Sequence, residues 1–529
     1  MLFQSIKFIF IFFPVTLAIF LLLNKQYPKL ASALLILASL LFCGYNDFRA
    51  VIVLIGSAVV NYLFAFIIDK SKEGSRLKTL YLVTGVFLNF YALFWYKFFS
   101  ASTQHTVLSN DSQTNLILEF GIPLGLSFYT LYQISLLVDI YTKKAKLYDF
   151  KSYLLSVSMF AHLPAGPILR YKTSIKQFAE LGMKNITEHS IALGMSLFTF
   201  GLFKKTLLAD PMSMFTTQMF TSINSGGHFT ILESLATVWA FLLQLYFDFS
   251  AYSDMAIGLG LCFGLKFPVN FNSPLKAISF TDYVARWHIS LIAFNRDYIF
   301  VPVSKLMLKL LKGNSPSKYY LAGIVATMVV YISIGFWHSP SLQFLFSGVL
   351  IGLILTLSQL IMMVLGKWFP LKLKMGPVGT RLNQIKVLLT AGIAGSLLML
   401  KDLPSFWSLL AGFGRLDLNT NRGLWFYLNQ SVGNNDFFSM IKKPIYLFGY
   451  EEFMLPFPIF ILICSVFALR GPNSMEIFGL KAHSGSKWSQ RISWKPTLTF
   501  GLVTGFLLAL YLIIKMDNRV YQDFLYGQF

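Results

Sequence analysis

Long apolar runs divided by short polar breaks set the reading of this chain. A helix needs about 20 apolar residues to cross a bilayer core. Runs of that order fall near residues 2–23, 30–44, 48–68, 77–99, 116–139, 188–208, 231–264, 318–338, 341–364, 383–400, 455–470 and 497–516. The first has no basic start and no small-residue cleavage site, and another run follows at once after Lys25 and Lys29, so it is read as a transmembrane helix and not as a leader. Two intervening stretches, 150–176 and 270–312, are broken by Pro, Gly and charge. They are expected to be re-entrant or interfacial, which a bilayer tolerates only where protein or a water-filled cavity covers the backbone. The pattern predicts an all-α polytopic membrane protein, one integral membrane domain over 1–529 with about eleven to thirteen transmembrane helices.

Composition agrees. Of the 529 residues 55% are hydrophobic, 17% aromatic and 13% charged, far more apolar than a soluble domain. The formal charge of +21 points at first to nucleic acid, but Lys and Arg gather in short clusters between apolar runs. That is the pattern of cytoplasmic loops beside anionic membrane lipids, and no nucleic acid partner is expected. Lys70, Lys72, Arg76 and Lys78 mark one such loop and Lys143, Lys144, Lys146 and Lys151 the next but one, while 100–115 between them has no Lys or Arg. Counting from these places both termini and the connection 401–455, read as an amphipathic cap, outside the cytoplasm. Cys43, Cys262 and Cys464 form no Cys-x-x-Cys pair and have no acidic or histidine cluster nearby, so neither a disulfide framework nor a metal site is expected.

The candidate chemistry lies between Thr281 and Pro340, where His288 follows Trp287 and His338 follows Trp337. A neutral imidazole takes a proton near pH 7 without first shedding a charge, which suits a buried reaction centre, and His338 is the candidate for that centre. His338 ends a span, and Ser339-Pro340-Ser341 is expected to make a tight turn. On a helix His288 would share a face with Leu291, Ile292 and Asn295, and Asp282 would sit one turn from Arg286. The charge count puts His288 in the cytoplasmic half and His338 at or below the outer end of its helix, so a passage is expected to join them. Asp248 and Asp254 lie inside an apolar run, at a cost of about 2.5–3.5 kcal/mol each at the bilayer centre, so each must face a cavity or a partner.

In order along the chain stand Pro123-Leu-Gly-Leu-Ser-Phe-Tyr129-Thr130, Ala165-Gly166-Pro167-Ile168, Gly201-Leu-Phe-Lys-Lys205, Tyr246-Phe-Asp-Phe-Ser250, Phe271-Asn272-Ser273-Pro274, Arg286-Trp287-His288-Ile289-Ser290, Arg296-Asp297-Tyr298 and Gly335-Phe336-Trp337-His338, with a terminal Phe524-Leu-Tyr-Gly-Gln-Phe529. Together they resemble the membrane-bound O-acyltransferase (MBOAT) family, in its bacterial branch of alginate O-acetylation and teichoic-acid D-alanyl transfer proteins. Ser339 stands where that branch commonly has a glycine, Ala285 where a second arginine is frequent, and 347–352 lacks a further histidine found in alginate-type members.

The resemblance implies helices around a central cavity in a bacterial inner membrane. It also implies transfer of an acyl group, most simply acetyl, from a cytoplasmic thioester to hydroxyls of a cell-envelope polysaccharide. Acetyl-CoA or another acyl thioester would be the donor, with no bound cofactor, and an extracytoplasmic SGNH-type transferase a possible partner. His338 would be the base or a transient acyl carrier, and His288 would orient the donor or polarise its carbonyl. Trp287 and Trp337, with Phe336, would exclude water. Arg296, Asp297, Asp254 and Asn272 would contact substrate, and Lys204, Lys205, Lys305 and Lys309 would join Arg296 in meeting donor phosphates. D-alanyl transfer, or a transporter or scaffold of the same assembly, is the alternative; the absence of an internal repeat speaks against a transporter.

Overall fold

Helices stand on every one of the apolar runs in a computed structural model that describes residues 1–106, 122–182, 186–311, 316–368, 376–416, 445–446, 454–455, 457–480 and 492–516. Among the described residues seven are long and apolar enough to cross a membrane: Phe8–Gln26, Arg49–Lys70, Arg76–Phe98, Glu188–Asn224, Ile231–Cys262, Pro316–His338 and Leu342–Ile361. Pro28–Gly44, Ile459–Arg470 and Leu498–Ile513 are shorter apolar helices. Their outward side chains, among them Leu22, Leu41, Leu63, Phe87 and Phe506, are large, apolar and exposed, as helices in lipid require. The chain is a multi-pass, all-α membrane protein. Among the described residues the strands are confined to a two-residue pair, Ile445–Tyr446 antiparallel to Met454–Leu455. Most of the connection 401–455 and the terminal motif 524–529 lie outside the described residues.

The broken stretches are short helices. Residues 150–176 hold Phe150–Ser158, begun by the Asp149 side chain on the Ser152 N–H, and the first part of Tyr171–Ala179; nine residues each are too few to cross. Residues 270–312 contain Phe280–Arg286, Ile289–Asn295, a π-helical turn Arg296–Phe300 and Val301–Leu310.

By its contacts the chain resolves into two compact units. The first takes Met1–Phe198, Met255–Pro268 and Ala293–Pro302. Its centre is aromatic: Phe12 meets Phe160 edge-on at 5.3 Å, and Phe42 packs on Phe8 and Phe160 at 5.9 and 5.8 Å. A Cβ added at Gly194 or at Gly258 would come within 2.5 Å of the other's carbonyl oxygen, so here two helices cross at backbone contact.

The second unit takes Thr199–Asp254, Val269–Ile292 and Val303–Phe529. Phe220, Phe241, Val238, Leu397 and Leu409 lie at its core. Helices Pro316–His338 and Leu342–Trp368 form a hairpin through the turn 339–341, as the proline predicts. The hairpin closes on glycines: a Cβ on Gly335 would sit 2.2 Å from the Phe344 carbonyl oxygen, and one on Gly348 2.3 Å from that of Tyr331. The Gln343 amide donates to the carbonyls of Leu397 and Leu400, tying the hairpin to the end of helix Pro377–Ser396.

Gly335→Ala should therefore destabilise the fold by about 1–3 kcal/mol. Gly323→Ala on the same helix, with nothing within 4 Å of the new Cβ, should be neutral or stabilise by up to about 1 kcal/mol. Thermal melting of both variants in detergent checks the contrast.

Candidate active site

The site forms where helix Phe280–Arg286 stops and Ile289–Asn295 starts. Ser279 opens the first helix by accepting the Asp282 N–H at 3.1 Å, and Asp282 pairs with Arg286 at 2.7 Å, one turn on as its spacing predicts. The chain then turns through His288, whose φ of +45° lies in the left-handed region. That conformation costs a non-glycine residue on the order of 1–3 kcal/mol and persists only where its surroundings fix it. Residues 270–272 do the fixing from both sides: Asn272 N–H donates to the Arg286 carbonyl at 3.0 Å, and Ile289 N–H to the Asn270 carbonyl at 2.9 Å.

The Asn270 side chain then fixes the imidazole. Its Oδ1 accepts the Ser290 N–H at 3.3 Å and the Ser290 hydroxyl at 2.8 Å, while its Nδ2 donates to Ser253 Oγ at 3.1 Å. With the amide oriented in this way, His288 Nδ1, 2.9 Å from the same Oδ1, must carry the proton and donate. Nε2 therefore holds the lone pair. Phe249 meets the ring edge-on at 4.8 Å. Burial first, and the nearby charge of His338 second, pull the His288 pKa from 6.5 to about 3, so the ring is neutral.

His288 and His338 line one cavity of about 160 Å³. The wall between them is mostly apolar, with Phe249, Ile334, Phe344, Ala394 and Leu398, together with Trp287 and the hydroxyl-bearing Ser347, Tyr283 and Tyr331. This volume matches a cavity of about 150 Å³ that holds benzene. An acetyl group with its sulfur is smaller, whereas a nucleotide does not fit.

A model of the MBOAT, membrane-bound O-acyltransferase, family matches residues 129–377, which include both histidines. The chain is 32% identical over 391 residues to the peptidoglycan O-acetyltransferase of Helicobacter pylori, covering 68% of this chain and 70% of that protein. It belongs to the membrane-bound O-acyltransferase family. It is also 31% identical over 367 residues to the probable alginate O-acetylase AlgI of Pseudomonas aeruginosa, covering 68% and 66%. The teichoic acid D-alanyltransferase of Streptococcus thermophilus is further away, 23% identical over 237 residues, with 45% and 56% covered.

The acyltransferase brings only part of the expected set together. His288, His338 and Trp287 share the cavity wall with Leu291 and Ile292 from the expected face; Asn295 is buried but does not line it. The two histidines, placed in opposite halves by the loop charges, line one cavity; loop charges locate the ends of spanning helices and not the depth of a segment that turns between two short helices. Trp337 is buried against His338 at 4.8 Å, and neither it nor Phe336, which is 47% exposed, lines the cavity. Asn272 spends its backbone on Arg286, and Asn270, which the sequence did not single out, fixes the histidine. Its partner is 18 residues away on an irregular segment, where periodicity carries no signal.

Asp254 lies buried against Lys204 Nζ at 2.8 Å and Ser474 Oγ at 2.9 Å, away from the cavity wall. Lys205 Nζ sits 2.7 Å from both Asp210 and Asp248. The acids in the apolar run thus have partners, and Lys204 and Lys205 are held in buried ion pairs instead of facing donor phosphates. Arg296 and Asp297 belong to the first unit, where Asp297 meets Arg170 and Lys172.

Neutral burial of His288 has a stability consequence. As pH falls from 6.5 towards 3 the unfolded imidazole takes up a proton that the folded one refuses, so stability falls over that window. The melting temperature of the native protein should drop more steeply between pH 7 and pH 5 than that of His288→Gln; equal slopes contradict the burial argument.

Proposed function

We propose that this acyltransferase moves an acetyl group from a thioester donor to hydroxyls of a cell-envelope polysaccharide. The observation that carries the reading is the pair of imidazoles from separate segments on one apolar cavity of acyl size. His338 takes the hydroxyl proton as the oxygen attacks the thioester carbonyl; the C–S bond then breaks, and the imidazolium returns its proton to the departing thiolate. His288 presents a lone pair at Nε2, which suits accepting a hydrogen bond from a substrate N–H or O–H and does not suit polarising a carbonyl. Its neutrality favours the step, since a second positive charge would raise the energy of the His338 imidazolium. The apolar wall keeps out water that would hydrolyse the thioester.

The size of the cavity favours acetyl over longer chains. The peptidoglycan and alginate relatives, more similar than the D-alanyl one, favour a polysaccharide acceptor. The basic loops favour a bacterial inner-membrane protein with both termini outside, so that acetyl-CoA or another thioester arrives from the cytoplasm and the acceptor lies opposite. An SGNH-type transferase fits as the carrier of the final transfer where the acceptor is not reached directly.

His338→Gln should lower transfer of label from radioactive acetyl-CoA to envelope polysaccharide by about 10²–10⁴-fold, with expression and membrane insertion intact. Most of the activity in a folded variant would remove His338 from the mechanism. In sealed vesicles of known orientation, donor on the cytoplasmic face should label acceptor or partner on the other; labelling only when both share a side contradicts transfer across the membrane.

A further inference from the structure

In the first unit three cations meet at one carboxylate. Arg170 Nη1 and Lys172 Nζ lie 2.5 and 2.8 Å from Asp297 Oδ2, and Arg296 Nε lies 3.0 Å from Oδ1. Burial would raise the Asp297 pKa, but hydrogen bonds from Lys172 and Arg296 and the charges of Lys172 and Arg170 outweigh it and hold the carboxyl at about 2. A second acid, the buried Asp139, accepts the Lys172 backbone N–H at 3.0 Å and the Tyr298 hydroxyl at 2.7 Å on Oδ2. Its buried Oδ1 meets no donor among the described residues. Lys172 Nζ also lies 5.4 Å from the centre of the Tyr298 ring, and Lys144 adds charge beside Asp139. Arg296 opens the π-helical turn Arg296–Phe300, a distortion that recurs at functional sites.

Charge and donors both exceed what the two acids need. Among the described residues Arg170 engages Asp297 through Nη1 and Arg296 engages it through Nε, which leaves most of the N–H donors of both guanidiniums unspent. The Arg296 side chain is 62% exposed and those of Arg170 and Lys172 20%, so the cluster can be reached from outside. A ligand here competes with an aspartate already in place, so it must bring more charge and more acceptor oxygens than a carboxylate. A phosphate monoester does, with about −1.5 to −2 at pH 7 and three acceptor oxygens. A phosphodiester carries a single charge and competes poorly.

We propose that Arg170, Lys172 and Arg296 form a binding site for a phosphate monoester, with Asp297 as the fixed counter-charge that gathers the three cations. Two sources offer that group: coenzyme A, through its ribose 3′-phosphate, and a monoester lipid headgroup, that of phosphatidic acid. The choice of coenzyme A as a probe rests on the function proposed above; the site does not.

Binding to purified full-length protein tests it in two arms. Calorimetry in detergent compares coenzyme A with dephospho-coenzyme A, which lacks the monoester, and native mass spectrometry of nanodiscs compares phosphatidic acid with phosphatidylglycerol. In at least one arm the monoester should bind about tenfold more tightly than its counterpart, and Arg170→Gln and Arg296→Gln should each remove most of that difference. The exposed Arg296 can be replaced without disturbing packing, so a folding failure of Arg170→Gln leaves the test intact. The arm that responds identifies the source. Equal affinities in both arms, or a preference that survives in folded variants, overturns the site. Acyl transfer is not the readout: an inactive protein that still discriminates the monoester contradicts the proposed function alone, and an active one that does not discriminate contradicts the site alone.

Discussion

The carboxamide of Asn270 accepts hydrogen bonds from His288 and from both polar groups of Ser290, and donates one to Ser253 on the helix Ile231–Cys262. The geometry of the cavity wall follows from these bonds. They hold a left-handed residue in place, fix which imidazole nitrogen carries the proton, and tie an irregular segment to a regular helix. A buried, hydrogen-bonded amide is well suited to this task, because leaving any of its partners unmet costs about 1–3 kcal/mol. The site therefore has one arrangement, and the imidazole it presents is neutral.

The apolar interior imposes a second constraint, since every charge inside it needs a partner. Lys204 with Asp254, and Lys205 with Asp210 and Asp248, meet that constraint with side chains from helical segments of the second unit. The cavity beside the histidines needs no such pairing, because its wall is mostly hydrocarbon and aromatic ring. The buried acids of the apolar run are thus kept apart from the histidines within the unit. On the proposed mechanism a neutral His288 leaves room for one imidazolium, at His338, as a single proton passes from hydroxyl to thiolate.

Helix positions were legible because a bilayer demands long apolar runs, and each run became a helix. His288, His338 and Trp287 were legible because the Trp-His pairs and their spacing carried the family resemblance. Loop charge could not reveal that the two histidines share a wall, since a segment that turns back at His288 escapes a count of spanning helices. Nor could it reveal that Lys204 and Lys205 are internal counterions: a basic pair at the end of an apolar run looks the same whether it meets water or an aspartate. Asn270 was hidden for a different reason. Its role depends on contacts across irregular chain, which leave no periodic trace.

On the proposed mechanism the acyl end of the donor sits between His288 and His338. A cryo-electron microscopy structure of the protein with a non-hydrolysable thioether analogue of acetyl-CoA tests it most directly. Density for the short acyl end is expected inside the cavity of about 160 Å³, in contact with His338 and within reach of His288 Nε2. Density for the acyl end elsewhere in the protein, with this cavity left to its own side chains, would contradict it.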